Sequence, residues 1–497
     1  MKYLNKTCIA LLTVFAMGSC SKDYFDVNDS QNNPISSTPE LTLPVAQKAS
    51  ADLFSGGYAS YNTLGNIWAY TWSSAGDYIF FVDEMQYNVT SSFRTGSFER
   101  AYNRPLANYD YIETFASEGD VSFSNYEAIA KIMKAFHFQY LVDLYGSVPY
   151  TEALKGSENI TPAYDDGEFI YNAIYDELNN ALDLITLGQT NEDVLPVGPE
   201  DIMLGGDMLL WAKFANTLKL KILLRQTETG NSFTDKYAEI DSNQYGLLGV
   251  NEDVFVNPGY AMDTDKQNPL FNAFGVDAAG TVTNNFKATT PTPYVLNKLD
   301  SYNDPRFDNL YAPAPDGSGF VGNEQNNQNA QAPKTDAVAK IGPGILKGPA
   351  QNAIIMQSAE ALFLRAEAAQ RMFISGDAKT LYESAIAESF EQLGELSDAS
   401  IYYNQNINNV GWNASTNKIE AIITQKYIAL DGTNGIEIWI EHKRTGFPAD
   451  LPVAPDALQN TIPVRLLYPS SEVGTNPDNV PSQTTGDAFN SPVFWDK

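Results

Sequence analysis

Residues 356–394, MQSAEALFLRAEAAQRMFISGDAKTLYESAIAESFEQLG, restrict the fold more than any other stretch, because they read as two amphipathic helices joined by a short glycine turn. Small and apolar residues recur at Ala359, Leu362, Phe363, Ala366, Ala369 and Phe373, then at Leu381, Tyr382, Ala385, Ile386 and Ser389. Each helix therefore carries one stripe to bury. Asp377 is placed to accept the unpaired amides at the start of the second helix, and Gly394 can turn left-handed at its end. Alanines facing large side chains allow close approach, the packing of a tetratricopeptide-type hairpin of about 34 residues. The chain is predicted to be mainly α, with this hairpin as one unit of a helical-repeat superhelix.

Other helical segments fit that scheme. Residues 126–146 place Ile129, Ile132, Met133, Phe136, Tyr140 and Leu144 on one face and close on Gly146. His137 lies beside this stripe with no second histidine nearby, so a packed, hydrogen-bonded ring is expected, not a metal ligand. Periodicity also marks 167–187, 207–227 and 415–430. Within 207–227, Lys213, Lys219, Lys221 and Arg225 read as a solvated face. The helices fall into blocks near 120–228 and 353–430, expected to stack as one superhelix. Residues 246–349 lose periodicity and are expected, with 431–497, to form an irregular, loop-rich lobe. Within it, 323–331 reads as a mobile, solvated loop, and Asn284, Phe286, Tyr294, Tyr302 and Phe320 as candidates for one wall of a binding site.

At the start, Lys2 and Lys6 precede a short apolar run that ends in small residues before Cys20. This is a secretory signal over 1–19, too short to span a bilayer as a stable anchor. Met17-Gly18-Ser19-Cys20 resembles a bacterial lipobox, which implies lipidation at Cys20; ordinary cleavage leaving Cys20 as a free thiol is the alternative. Residues 20–44, rich in Asn, Ser, Asp and Pro, read as a lipidated tether carrying a single body over 45–497. Asp26, Asn28 and Ser30 space oxygens like the start of a calcium loop but lack its glycine and closing glutamate, so no metal is expected. The cysteines are Cys8 and Cys20, so with Cys8 removed and Cys20 acylated no disulfide can form.

Charge narrows the partners. With 61 acidic against 31 basic residues the formal net charge is -30, which excludes nucleic acid as a natural partner. The segment 46–111 crowds Trp68, Tyr70, Trp72, Tyr78, Phe80, Phe81 and Tyr87 among Ser, Gly and Asn. A helix through Leu64 and Trp68 can bury some of these rings, and packing is the default for any single one. As a group they exceed what one face can hide. Aromatic faces stack on the C–H faces of sugars while amides and carboxylates bind hydroxyls. The candidate ligand residues are therefore Trp68, Trp72, Asp77, Tyr78, Tyr87 and Asn88.

Several motifs then converge. The lipobox, DLYGSVPYTEA at 143–153, WAKFANTLKLKILLR at 211–225, DPRF at 304–307 and SAEALFLRAEAA at 358–369 resemble the SusD/RagB outer-membrane lipoproteins. So do QKYIAL, EIWIEHKRTGFP and IPVRLLYPSSE, and the order holds over essentially the whole chain. Acidic residues just after Cys20 are similar to the signal that exports Bacteroidetes lipoproteins to the cell surface. The resemblance implies a tetratricopeptide scaffold with an irregular lobe and a surface-exposed, lipid-anchored place on the outer membrane. It also implies a SusC-like TonB-dependent transporter as partner, with the protein as its lid. An oligosaccharide is the expected ligand and an oligopeptide, as in RagB-like members, the alternative. Catalytic patterns such as GxSxG, HExxH and the P-loop are missing from the sequence, so neither an enzyme nor a cofactor is expected.

Overall fold

The computed structural model describes residues 37–116 and 121–496, so the signal, Cys20 and the Asp26–Ser30 reading lie outside the described residues. The hairpin forms as its sequence dictates: helices Ser358–Gln370 and Ala378–Leu393, with Asp377 Oδ1 accepting the Thr380 amide at 2.7 Å. Gly394 ends the second helix at φ 74°, in the left-handed region that a side chain resists. Leu362, Phe363, Ala366, Tyr382, Ala385 and Ile386 close one core cluster, which the helix Lys418–Leu430 completes with Ala421 and Ile422.

A second hairpin pairs Ser124–Tyr145 with Gly167–Thr190. The helices run antiparallel, since Gly188 sits against Asn125 while Gly167 sits against Val142. A side chain at Gly188 would meet Asn125 Oδ1 at 2.4 Å and displace the amide that Asn125 donates to Leu195 O. His137 is buried here and its Nε2 lies 2.8 Å from Ser50 Oγ, the packed ring expected of it.

The helix Met208–Arg225 corrects the sequence reading. Lys219, Lys221 and Arg225 are buried, and Lys213 is half-buried on Glu252. Lys221 Nζ meets Glu360 at 2.8 Å and Glu437 at 2.9 Å; Arg225 meets Glu437 at 2.8 Å and Asp143 at 3.3 Å, and also pairs with Glu441. Lys219 pairs with Glu239. From Phe214 onward the helix is buried against Ser124–Tyr145, Gly167–Thr190 and Ser358–Gln370, so Lys221 and Arg225 are matched by carboxylates from Ser358–Gln370, Gly435–Thr445 and Asp143. Gly435–Thr445 is itself a regular helix inside the stretch expected to be irregular.

Two further differences concern loops. The helix Pro39–Phe54 begins before the expected end of the tether at 44, with Pro39 in the first turn, where its missing N–H costs nothing. The lobe 246–349 is built from short helices and three small antiparallel pairs, Trp72–Ser74 with Thr289–Pro291, Val254–Val256 with Ala353–Met356, and Tyr311–Ala312 with Lys340–Ile341. Its 323–331 segment is exposed at Glu324 and from Gln328 onward, while Asn323 and Gln325 are buried. Asn323 donates to Ser74 O at 2.8 Å, Gln325 to Ile67 O and Trp72 O at 2.8 Å each, and Asn326 to Met85 O at 2.9 Å. These carbonyls lie at the ends of short helices and on a two-stranded pair, where backbone amides do not fill every acceptor position, and the amide side chains bond to them.

Candidate ligand-binding site

The aromatic segment 58–100 divides by depth. The helix Tyr61–Trp68 is buried throughout, capped by Ser60, whose Oγ accepts the Thr63 amide at 3.2 Å. Gly65 lets it press on the backbone of Gly435 and Ile436, since a Cβ there would lie 2.0 Å from Ile436 N. Trp68 is fully buried, stacked on Phe93 at 5.9 Å and tilted against Trp439 at 5.0 Å, with Nε1 donating to Glu84 O at 3.2 Å. Trp72 is buried against Phe274 at 5.2 Å, and the Tyr87 hydroxyl accepts the Ala454 amide at 3.1 Å. Burial corrects the reading of these three: Trp68, Trp72 and Tyr87 have no ring face left for a ligand, and of them Trp68 backs Phe93, which with Phe81 forms a buried aromatic floor.

Above that floor lies an open cleft of about 540 Å³, walled by Tyr58, Ile79, Phe80, Asp83, Arg94 and Arg100 among others. Tyr58 is 41% exposed and Ile79 85%. The Tyr58 ring stacks on Phe81 at 5.1 Å with an 11° interplanar angle, and Phe80 leans on both, 5.2 Å from Tyr58 and 3.9 Å from Phe81. Arg94 sits 5.5 Å from the Tyr58 centroid. The guanidinium is held from behind: Nη2 lies 2.8 Å from Glu84 Oε1, and Nη1 donates to Ser60 O at 3.2 Å. Burial, then the Glu84 charge, raises the Tyr58 phenol above its ordinary range, so at neutral pH it remains a neutral donor and acceptor.

Phe81 and Arg94 hold φ of 55° and 47°, and Tyr87 55°. Bulky residues resist this region, and such positions persist only where surroundings over-determine them. Here they turn the chain so that Phe80 and Asp83 face outward while Glu84 and Met85 go in. Asp83 is exposed and Asn88 Nδ2 donates to its Oδ1 at 2.8 Å, which places Asn88 on the cleft's edge. Asp77 and Tyr78 do not line the cleft; Asp77 accepts the Thr335 amide at 2.8 Å, and Gln328 holds Tyr78 O at 2.8 Å. The second-wall candidates also lie elsewhere, Tyr294 on Asp450 at 2.9 Å and Phe320 on Phe307 at 4.5 Å. Tyr58, Arg94 and Arg100 went unread in the sequence. Gly56-Gly57 just before Tyr58 marks a turn after the Pro39–Phe54 helix, the local signal nearest to it.

The cleft thus offers aromatic faces, one outward carboxylate with an amide beside it, and a cation neutralised from within. A separate cavity of about 460 Å³ near Asn268, Gln351 and Thr433 has no aromatic ring in its wall. Among the described residues no group of His, Cys, Asp and Glu is arranged to hold a metal ion, and no helix is long and apolar enough to cross a membrane.

The family model SusD-like, described as starch-binding and associating with the outer membrane, matches residues 32–469. No curated protein matches the chain. Among solved structures, a SusD homologue from Bacteroides vulgatus superposes with a TM-score of 0.76 at 20% identity, over 92% of this chain and 98% of that one. A chitin-binding SusD homologue from Flavobacterium johnsoniae gives 0.76 at 21% identity, with the same 92% and 98% coverage. A SusD/RagB family protein from Bacteroides thetaiotaomicron gives 0.74 at 20% identity, over 93% and 99%. All three share the mainly helical fold.

Proposed function

The chain belongs to the SusD-like family of starch-binding proteins that associate with the outer membrane, and we propose that it captures oligosaccharides in the Tyr58–Phe80 cleft. The observation that carries this reading is the pair of accessible rings beside Asp83 and Asn88, held in place by a buried aromatic floor. A sugar presents an apolar C–H face and a rim of hydroxyls, and the cleft presents the complement of both. Glu84 is committed to Arg94, which leaves Asp83 as a hydrogen-bonding group and favours binding over hydrolysis, where two free carboxylates must flank the bond. The chitin-binding homologue supports a glycan over a peptide.

In this reading Cys20 carries the lipid that holds the protein on the cell surface, and the ligand passes to a SusC-like TonB-dependent transporter. Cys20→Ala is expected to release the protein or block its maturation, and protein that stays membrane-bound in that variant counts against the anchor. A mild-detergent pull-down is expected to recover a transporter-sized partner in near-equal amount, and recovery of the protein alone counts against the lid role. The ligand class is tested by calorimetry of the soluble body with neutral glycans and a mixed peptide pool. Glycan dissociation constants of about 10 μM to 1 mM are expected, given stacking worth about 1 kcal/mol per ring. Binding to peptides with silence across the glycans overturns the choice.

A further inference from the structure

We propose that the cleft is one end of a longer groove, and that a second pocket beyond the Thr95–Ala101 helix takes further units of the same glycan chain; this rests on reading the cleft as a glycan site. The second pocket has a volume of about 340 Å³, with Tyr102, Pro149 and Leu154 in its walls and Glu99, Asn103 and Glu472 at its rim. Its composition repeats that of the cleft: a ring, apolar neighbours, and carboxylate and amide oxygens at the edge. The Tyr102 ring is fixed, its hydroxyl donating to Pro149 O at 2.7 Å and its underside packed on Phe98 at 4.9 Å.

Continuity comes from two elements shared by both openings. Gly96 and Arg100 line the cleft while Glu99 and Asn103, on the same helical run, line the pocket. From Gly96 to Asn103 the axis advances about 10 Å, a span that a chain ligand crosses and a single small sugar does not. The helix Ser470–Thr475 makes the second bridge: the Ser470 amide donates to Ser91 O at 2.8 Å beside the cleft, Ser471 Oγ donates to Glu99 at 2.6 Å, and Glu472 reaches the pocket. Beyond the pocket, Ala153 and Leu154 are shared with a third cavity of about 360 Å³ that contains Tyr150 and Thr151.

The backbone is shaped for this. The run switches to a π turn at Tyr102–Leu106 with Pro105 inside, which shifts the direction of Tyr102 and Asn103 away from the register of the preceding turn. Leu154, at the corner between pocket and third cavity, holds φ of 65°, a conformation a leucine adopts only under constraint.

The test is calorimetry of wild-type protein with chito- and malto-oligosaccharides from dimer to hexamer, repeated with Ala153→Trp, which fills the pocket from a partly exposed position. Affinity is expected to rise by about tenfold once the chain is long enough to reach the pocket, and Ala153→Trp is expected to remove that rise while short glycans bind as before. The wild-type length series stands without the variant, and Asn103→Trp on the exposed helix face serves if Ala153→Trp misfolds. Affinity that stays flat from dimer to hexamer overturns the groove but leaves the cleft intact. Silence toward every glycan overturns both, and binding of a peptide pool that Ala153→Trp blocks assigns the pocket to peptide.

Discussion

Arg225 is a charge that water never reaches, and its position is set by three carboxylates: Asp143, Glu437 and Glu441. Removing such a partner strands the others, so Arg225→Met is expected to cost about 3–5 kcal/mol, read as a lowered urea midpoint. An unchanged midpoint would mean the network is solvated. The sequence could not show this, because Lys221 and Arg225 at helical spacing look the same whether they face water or Glu360 and Glu437, on helices more than a hundred residues away. Asp431 offers the opposite case. Burial pushes its carboxyl up to about 7, and the hydrogen bond from the Tyr311 hydroxyl at 2.6 Å only partly offsets that. A raised acid favours the folded state below its unfolded pKa, and that contribution is lost as pH rises toward 7. Asp431→Asn, which keeps an acceptor for Tyr311, is therefore expected to gain stability relative to wild type between about pH 4 and 7 in denaturant titrations. A constant difference across that range would contradict the shift.

The elements show which signals are local and which are not. The 356–394 hairpin was legible because its stripe, its cap at Asp377 and its left-handed Gly394 all act within a few residues of one another. The contact between Tyr61–Trp68 and Gly435–Thr445 left no such mark. Gly65 and Gly435 interlock there: a Cβ on Gly65 would lie 2.0 Å from Ile436 N, and one on Gly435 2.3 Å from Asn66 N. The side chains of Asn62 and Asn66 then bond to Gly432 and Gly435 across the same seam. Gly65→Ala forces backbone apart from backbone, so a loss of about 3 kcal/mol or more is expected by chemical denaturation, at the upper end for overpacking. A loss under about 1 kcal/mol would mean that the two helices slide freely. Read from sequence, a glycine inside a helical segment signals only lowered propensity.

At the scale of the whole molecule, the fold was legible, while of the six candidate ligand residues only Asn88, bonded to Asp83, lies at the edge of the proposed cleft. The segment that holds the cleft stands out by its aromatic density, yet three of the candidates in it, Trp68, Trp72 and Tyr87, are core. Size accounts for the two tryptophans, since large rings contribute most when buried, but among rings of similar size depth is set by tertiary packing: Tyr87 is buried while Tyr58 is 41% exposed. The central claim is that the accessible rings of Tyr58 and Phe80 bind the ligand while the buried ones hold them in place. It is tested most directly by calorimetric titration of a bound oligosaccharide into Tyr58→Ala/Phe80→Ala, with the thermal midpoint measured alongside. Affinity is expected to fall by about thirtyfold, two stacking contributions of about 1 kcal/mol each, with the midpoint nearly unchanged. Undiminished affinity in a folded double variant would contradict it.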